Sequence, residues 1–468
     1  MPRSLKTIIR VVLSFVLVTM IILPAYAAPP TLLWSDPVGT NAIALSADGQ
    51  YVVVGNLGSV RFYGRSGPIP LWTYPGGIGP DFTSVAISAD GSYVAASALG
   101  QIYFWANAKF LTGNPLPTWT STGLGGPIQH RCLAISDDGN YVAACGTGPN
   151  VFYWAGATGK SGPNIGTTWS YQLAAQVEAI AISDDGNHVA AVGLIGNPSD
   201  GPDGVVGYWN NAISLTGHPQ SPTWTGTELH DPLVDVAISN DGNYLVAAGA
   251  GVGSFLVSTV YYWAGATSRT GTSELHTWAG GVDVVFSSVD ISCDGDSVIA
   301  GAGGLLTVIS TGAGSLTPAQ APPTTNEVFF WGGARSLTGN PAPTWTHTTT
   351  SPVLDVAINE LGTYMAAVDF QFPATVYFFD KQGNVLWSDL AISGDKLSIS
   401  CDGGTLAVGT PVVDTAYLLD TGFSSPCTCG LPPPIPEYPL GLALLAILMV
   451  ISYGLIRRRT STKKSSDL

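Results

Sequence analysis

Ser46-Ala47-Asp48-Gly49 decides the fold, because the chain writes this motif eight times. It returns as Ser88-Ala89-Asp90-Gly91, Ser136-Asp137-Asp138-Gly139, Ser183-Asp184-Asp185-Gly186, Ser239-Asn240-Asp241-Gly242 and Ser292-Cys293-Asp294-Gly295. A divergent Asn359-Glu360-Leu361-Gly362 and a final Ser400-Cys401-Asp402-Gly403 complete the set. Each copy separates two short alternating runs, such as Val85-Ala86-Ile87-Ser88 and Tyr93-Val94-Ala95-Ala96-Ser97. Period-two alternation interrupted by Asp-Gly reads as a strand, a turn and a strand. Gly accepts positive φ there, and Asp bonds its own backbone. A third run carries aromatics (Ile102-Tyr103-Phe104-Trp105), and a fourth carries Thr-Trp (Pro117-Thr118-Trp119-Thr120).

The motif glycines lie 42, 48, 47, 56, 53, 67 and 41 residues apart. Four strands recurring at that period predict an all-β, eight-bladed β-propeller. The 13 tryptophans keep the same register. Eight occupy the fourth strand: Trp34, Trp72, Trp119, Trp169, Trp224, Trp278, Trp345 and Trp387. Five occupy the third, at Trp105, Trp154, Trp209, Trp263 and Trp331, with Tyr63, Phe379 and Leu419 in the matching slots. A residue demanded in every copy serves the repeat, so these tryptophans are expected between blades rather than on a ligand platform.

The ends of the array are complementary. Thr31-Leu32-Leu33-Trp34-Ser35 reads as a fourth strand with no blade before it. The last blade has runs at 397–400, 406–409 and 416–420 and no fourth. The N-terminal strand is therefore expected to finish the last blade and close the ring, which removes exposed sheet edges. This phase resembles that of WD-repeat proteins, whose strand before the Asp-Gly turn is innermost and whose fourth strand is outermost. The stretch Phe379-Asp380-Lys381-Gln382-Gly383-Asn384-Val385-Leu386-Trp387 also resembles the quinoprotein-type (PQQ-like) repeat. The resemblance covers about residues 31–421 and implies a fold rather than an activity. Regular Gly-His and Trp-Asp pairs are missing, which makes the chain a divergent member.

Outside the repeats, Arg3, Lys6 and Arg10 precede an apolar run from Val11 to Leu23 and a small-x-small site at Ala25-Tyr26-Ala27. That order predicts a secretory signal peptide over 1–27. Residues 440–456 form a second uncharged apolar run, followed by Arg457-Arg458-Arg459. It is long enough for a short transmembrane helix, with the basic tail 457–468 inside and the propeller outside. The preceding Cys/Pro-rich stalk, 422–439, ends in Pro436-Glu437-Tyr438-Pro439. Together these features resemble the tripartite sorting signal of archaeal surface proteins, which implies archaeosortase processing to a lipid anchor. Both readings tether the propeller, 28–421, to the outer cell surface, single-pass or lipid-anchored.

Between residues 28 and 438 there are 9 Lys+Arg and 31 Asp+Glu, a net charge of −22. Such a balance disfavours nucleic acid and anionic lipid as partners, and favours cations or a basic partner. The only Asn-x-Ser/Thr match, Asn197-Pro198-Ser199, carries the forbidden Pro, so N-glycosylation is not expected.

Six cysteines suit an oxidising compartment. Positions facing each other across the Asp137–Asn140 turn sum to 277, which places Cys132 opposite Cys145 and predicts a disulfide. Cys293, Cys401, Cys427 and Cys429 allow three pairings, some of which would staple the stalk to the ring.

Catalytic motifs are missing from the sequence. The six histidines are scattered, and no Gly-x-Ser-x-Gly, His-Glu-x-x-His or P-loop occurs. The loop Gly196–Gly204 gathers Asn197, Asp200 and Asp203, a candidate calcium site whose spacing matches no known calcium loop. An ordinary polar turn is the competing reading. Insertions near 251–259 and 301–326 lengthen the second-to-third connections of blades 5 and 6. By WD-repeat analogy these share a face with the loops entering the inner strands, the expected partner face. The reading that follows is a non-catalytic surface module, without a cofactor, binding an extracellular protein or glycan. The alternatives are a quinoprotein-like or other secreted enzyme, and a surface-layer component.

Overall fold

The structure is a computed structural model that describes residues 29–427. The exceptions are 77–80, 125–130, 147, 196–202, 230, 251–257, 273, 283, 304–325, 372–373, 390–393 and 411–414. The signal-peptide, stalk-end and C-terminal-helix expectations thus concern segments outside the described residues. Among the described residues, no helix is long and apolar enough to cross a membrane.

Eight four-stranded antiparallel sheets follow one another around a ring. Blade 1 comprises Ala42–Leu45, Tyr51–Asn56, Ser59–Gly64 and Trp72–Pro75. Blade 8 comprises Lys396–Ile399, Thr405–Thr410, Thr415–Asp420 and, as its outer strand, Thr31–Asp36. Thr31 pairs with Asp420 and Asp36 with Ala416, so the N-terminal strand closes the ring.

The motif explains itself in atoms. The Ser hydroxyl of seven copies donates to the Asp carboxylate at 2.6–3.2 Å. The same hydroxyl accepts the N–H five residues on at 2.9–3.0 Å. The Gly is required twice over. Gly139 has φ +71°, and a Cβ there would lie 2.2 Å from the Tyr93 ring of the preceding blade. His188 takes that ring position in blade 4 and is buried against Gly242.

The second motif residues form a belt of backbone hydrogen bonds. Ala89 N–H donates to Asp137 O, Asp137 to Asp184, Asp184 to Asn240, Asn240 to Cys293 and Cys293 to Glu360, at 2.9–3.2 Å. Cys401 N–H continues the belt to Ala47 O at 2.9 Å. The divergent copy supplies the missing link. Asn359 Oδ1 accepts from Tyr364 N–H as the Ser does elsewhere, while its Nδ2 donates to Cys401 O at 3.1 Å. With Leu361 in place of the Asp, the longer side chain has no carboxylate to donate to and its Nδ2 reaches the next blade's carbonyl instead.

The tryptophans lie between blades. Seven of the eight fourth-strand indoles donate to a carbonyl just beyond the third strand of the next blade, at 2.8–3.2 Å. Six of them also meet that blade's third-strand aromatic, as in Trp169–Trp209 at 5.4 Å between ring centroids. Burying each one contributes roughly 4–6 kcal/mol of transfer free energy. Trp34 Nε1 alone of the eight has no acceptor.

Candidate functional site on the ring axis

The first strands of the eight blades stand around the axis, each with one sheet edge facing the channel. Buried edge N–H groups need partners, and here side chains of the neighbouring blade supply them. Asp235 Oδ2 accepts from Val289 N–H, Asp290 Oδ2 from Ile358 N–H, and Asp355 Oδ2 from Leu397 N–H, each at 2.9 Å. Ser398 Oγ accepts from Leu45 N–H at 3.0 Å. Polar side chains thus step from blade 5 through blades 6, 7 and 8 into blade 1.

Arg131 answers this charge from the far side of the ring. It lies two residues before the first strand of blade 3 (Leu133–Ile135) and has φ +70°, which turns it out of line with that strand. Its guanidinium crosses the channel to Asp235 at 3.4 Å and to Asp355 at 3.1 Å. It also donates to Ser287 O at 2.5 Å. Ser288 Oγ bridges the two carboxylates, at 3.1 and 2.9 Å. The cluster lines a cavity of about 330 Å³. Arg131 keeps 24% exposure, against 10% and 13% for its partners, so water reaches the pair from the channel.

Enclosure controls the proton equilibria. Burial pushes Asp235 above the ordinary carboxylate range, against the pull of Arg131. Among the described residues, none places a cation on Asp290. Burial, followed in part by repulsion from Asp235 and Asp355, raises it to about 7 despite two N–H donors. Nearer the loop end, burial lifts Glu178 to about 7 and Asp395 to about 6. At the opposite end, Asp137 and Asp184 are neighbours in the belt. Burial raises both, Asp184 further, because it carries the proton that the Asp137 carboxylate accepts.

The residues singled out from the sequence lie elsewhere. Asp203 opens the third strand of blade 4, opposite Ile195, so the connection is shorter than the loop Gly196–Gly204 read from sequence and Asp203 belongs to the sheet. Asn197 and Asp200 lie outside the described residues, as do 251–257 and 304–325. Cys132 and Cys145 are bonded, with Cα atoms 4.9 Å apart, next to Arg131 at the channel wall. Cys401 is bonded to Cys427, and Cys293 is also in a disulfide; Cys429 lies outside the described residues. His276 and His347 pack against Tyr261 and Tyr377 at 5.3 and 5.4 Å, and His218 Nδ1 meets Ser170 Oγ at 2.7 Å.

Sequence reading missed the axial cluster, although a signal was present. Two positions before the motif Ser, six copies carry Ala, whereas blade 6 has Asp290 and blade 8 has Ser398. Four positions before it stand Asp235, Asp355 and Lys396 among small residues. Charges inside an otherwise apolar inner strand mark the channel.

No protein-family model matches the sequence, and no curated protein matches it. Solved structures do. The C-terminal WD40 domain of Sif2 aligns with a TM-score of 0.59 at 12% identity, over 85% of this chain and 99% of that one. Chaetomium thermophilum Sqt1, bound to the N-terminus of ribosomal protein L10, aligns with a TM-score of 0.57 at 13% identity, over 84% and 100%. The chain is therefore similar to these proteins in architecture, and its fold is a WD40-type β-propeller with eight blades.

Proposed function

We propose that this propeller is a non-catalytic interaction module, held at the outer cell surface, that presents its loop face to an extracellular protein or glycan. The observation that carries this reading is the fate of the repeated polar residues. The motif Ser and Asp bind backbone N–H groups, the indoles tie blade to blade, and the axial carboxylates cap neighbouring strands. The inner-strand departures from the repeat are likewise spent on the ring itself, the longest insertions fall in connections, and loops on a rigid ring are where recognition usually resides. A neighbour of the same fold holds a protein segment, since Sqt1 is bound to the N-terminus of L10.

The axis weighs against the quinoprotein alternative. A cofactor with its Ca²⁺ would have to sit where Arg131 spans the channel. Asp235 and Asp355 are already committed to that guanidinium and to Val289 and Leu397 N–H. These residues do not fit such a group.

The test is photo-crosslinking on intact cells, with the full chain carrying a crosslinker at Leu99 or at Phe110. Leu99 lies at a second-to-third hairpin and Phe110 in a third-to-fourth connection, hence on opposite faces of the ring. Adducts from Leu99 and none from Phe110 support the loop face. Adducts from neither position refute the module. A mature N-terminus at Ala28, read by mass spectrometry, tests export.

A further inference from the structure

Blade 8 differs from the others in its covalent connection. In blades 1–7 a connection joins the third strand to the fourth. In blade 8 the third strand, Thr415–Asp420, ends, and the fourth, Thr31–Asp36, belongs to the start of the chain. Pairing and packing, with no covalent link, hold these two strands together. Thr31 faces Asp420 at the end from which the chain leaves, and Thr405 faces Asp420 on its other flank. A pull on residue 421 would therefore load the closing strand first, starting at the pair that seals the ring.

Residues 421–427 run from that strand across the motif turns as a strap. Thr421 Oγ1 donates to Gly403 O at 2.7 Å, and Thr421 N–H donates to Gly404 O at 3.1 Å. Ser425 N–H donates to Asp402 O at 2.7 Å. Blade 7 grips the same strap. Trp387 Nε1 donates to Thr421 O at 3.2 Å, Asn359 Nδ2 donates to Ser425 Oγ at 3.0 Å, and Phe423 packs on Tyr364 at 5.7 Å between ring centroids. The strap ends at Cys427, bonded to Cys401 with Cα atoms 5.4 Å apart. Cys401 sits in the turn between the first two strands of blade 8 and belongs to the backbone belt. Its N–H donates to Ala47 O of blade 1 at 2.9 Å, and its carbonyl accepts from Asn359 of blade 7 at 3.1 Å. Cys293, in the same belt, is also in a disulfide.

We propose that the Cys401–Cys427 bond is a load bypass, through which tension arriving from beyond Cys427 enters the ring at the axial belt and never reaches the strand that closes it. A covalent bond carries force around everything between its two ends. Residues 402–426, the third strand of blade 8 included, therefore stay slack while the bond holds. At Cys401 the force is shared by three blades, because the belt ties that turn to Ala47 on one side and Asn359 on the other. At Asp420 it would meet only two flanking strands, one of them the chain's own start. The use of the device rests on the surface-anchored reading, since a tethered C-terminal side pulls on Cys427 when a bound partner is dragged away. Its mechanics do not depend on that reading.

The test is optical-trap pulling on the full-length protein in detergent, between an azide-bearing residue placed at the exposed Leu99 and the C-terminus. In the oxidised protein no chain is expected to be released before the whole ring ruptures. Cys427 is exposed, so reductant reaches it. After reduction and blocking with iodoacetamide, an early event is expected at about half the rupture force or less, freeing up to about 90 Å, the extended length of the 26-residue separation. Cys132→Ala/Cys145→Ala should behave as the parent before and after reduction, which separates the strap from the other bond. Circular dichroism at zero load should be unchanged by reduction, because the strands of blade 8 keep their ladder. Identical first events in the two states overturn the proposal. A ring that unfolds on reduction without load also overturns it, in favour of a static staple. Cell fractionation tests the anchor separately: protein found in the medium overturns the anchoring reading and leaves the trap result to decide the mechanics.

Discussion

Arg131→Met removes the guanidinium that crosses the axis while keeping most of its volume. Its two ion pairs are 3.4 and 3.1 Å long. At an effective dielectric constant of about 20, each is worth roughly 5 kcal/mol of Coulomb energy before desolvation. Desolvation cancels most of that, and channel water at a quarter-exposed side chain screens more. What remains is the cost of leaving Asp235 and Asp355 facing each other without a cation, about 2–4 kcal/mol. Spread over an unfolding entropy near 0.8 kcal/mol/K for roughly 390 residues, this lowers Tm by about 2–5 °C. Calorimetry and urea titration of the full chain measure both quantities. The double variant Arg131→Met/Asp355→Asn should recover about 1 kcal/mol, because it removes one of the stranded charges. A single variant within about 0.5 kcal/mol of the parent would refute the account, as would a double variant no more stable than the single.

Further expectations follow from the same geometry. Asp290 is raised to about 7 in the fold, so the folded state holds a proton that the unfolded chain releases near pH 4. Stability therefore falls as pH rises from about 4 to about 7, and Asp290→Asn should flatten that slope in melts across the interval. Trp72→Phe deprives Ala108 O of a donor and should cost about 2–4 kcal/mol by denaturant titration. Trp34→Phe should cost about 1 kcal/mol less, since its Nε1 bonds nothing. Cys132→Ala/Cys145→Ala opens a short covalent loop and should lower stability by about 3 kcal/mol, with an unchanged far-UV spectrum.

The fold was legible because a propeller repeats its local chemistry. Ser-x-Asp-Gly, the turn-following Tyr and the fourth-strand Trp each answer a requirement that recurs in every blade, so they can be read from one dimension. The Cys132–Cys145 facing is legible for the same reason, since hairpin register relates two nearby positions by a constant sum, and Leu133 pairs with Ala144 on that register. Closure by Thr31–Asp36 was also written in the chain, as a strand too many at one end and one too few at the other.

Tertiary structure alone decided what meets across the ring. Arg131 reaches Asp235 and Asp355, more than 100 and 200 residues away, because circular closure turns the first strands of blades 3, 5 and 7 towards one axis. Sequence spacing contains no trace of that distance. Asn359 looks like a worn motif until its amide is seen completing the belt to Cys401. The sequence by itself determined every repeated local contact, because each is made within a blade or to its neighbour by residues that recur. Only the closed ring determined the axial charge cluster, since it arises where the repeat departs from itself and a distant element must answer.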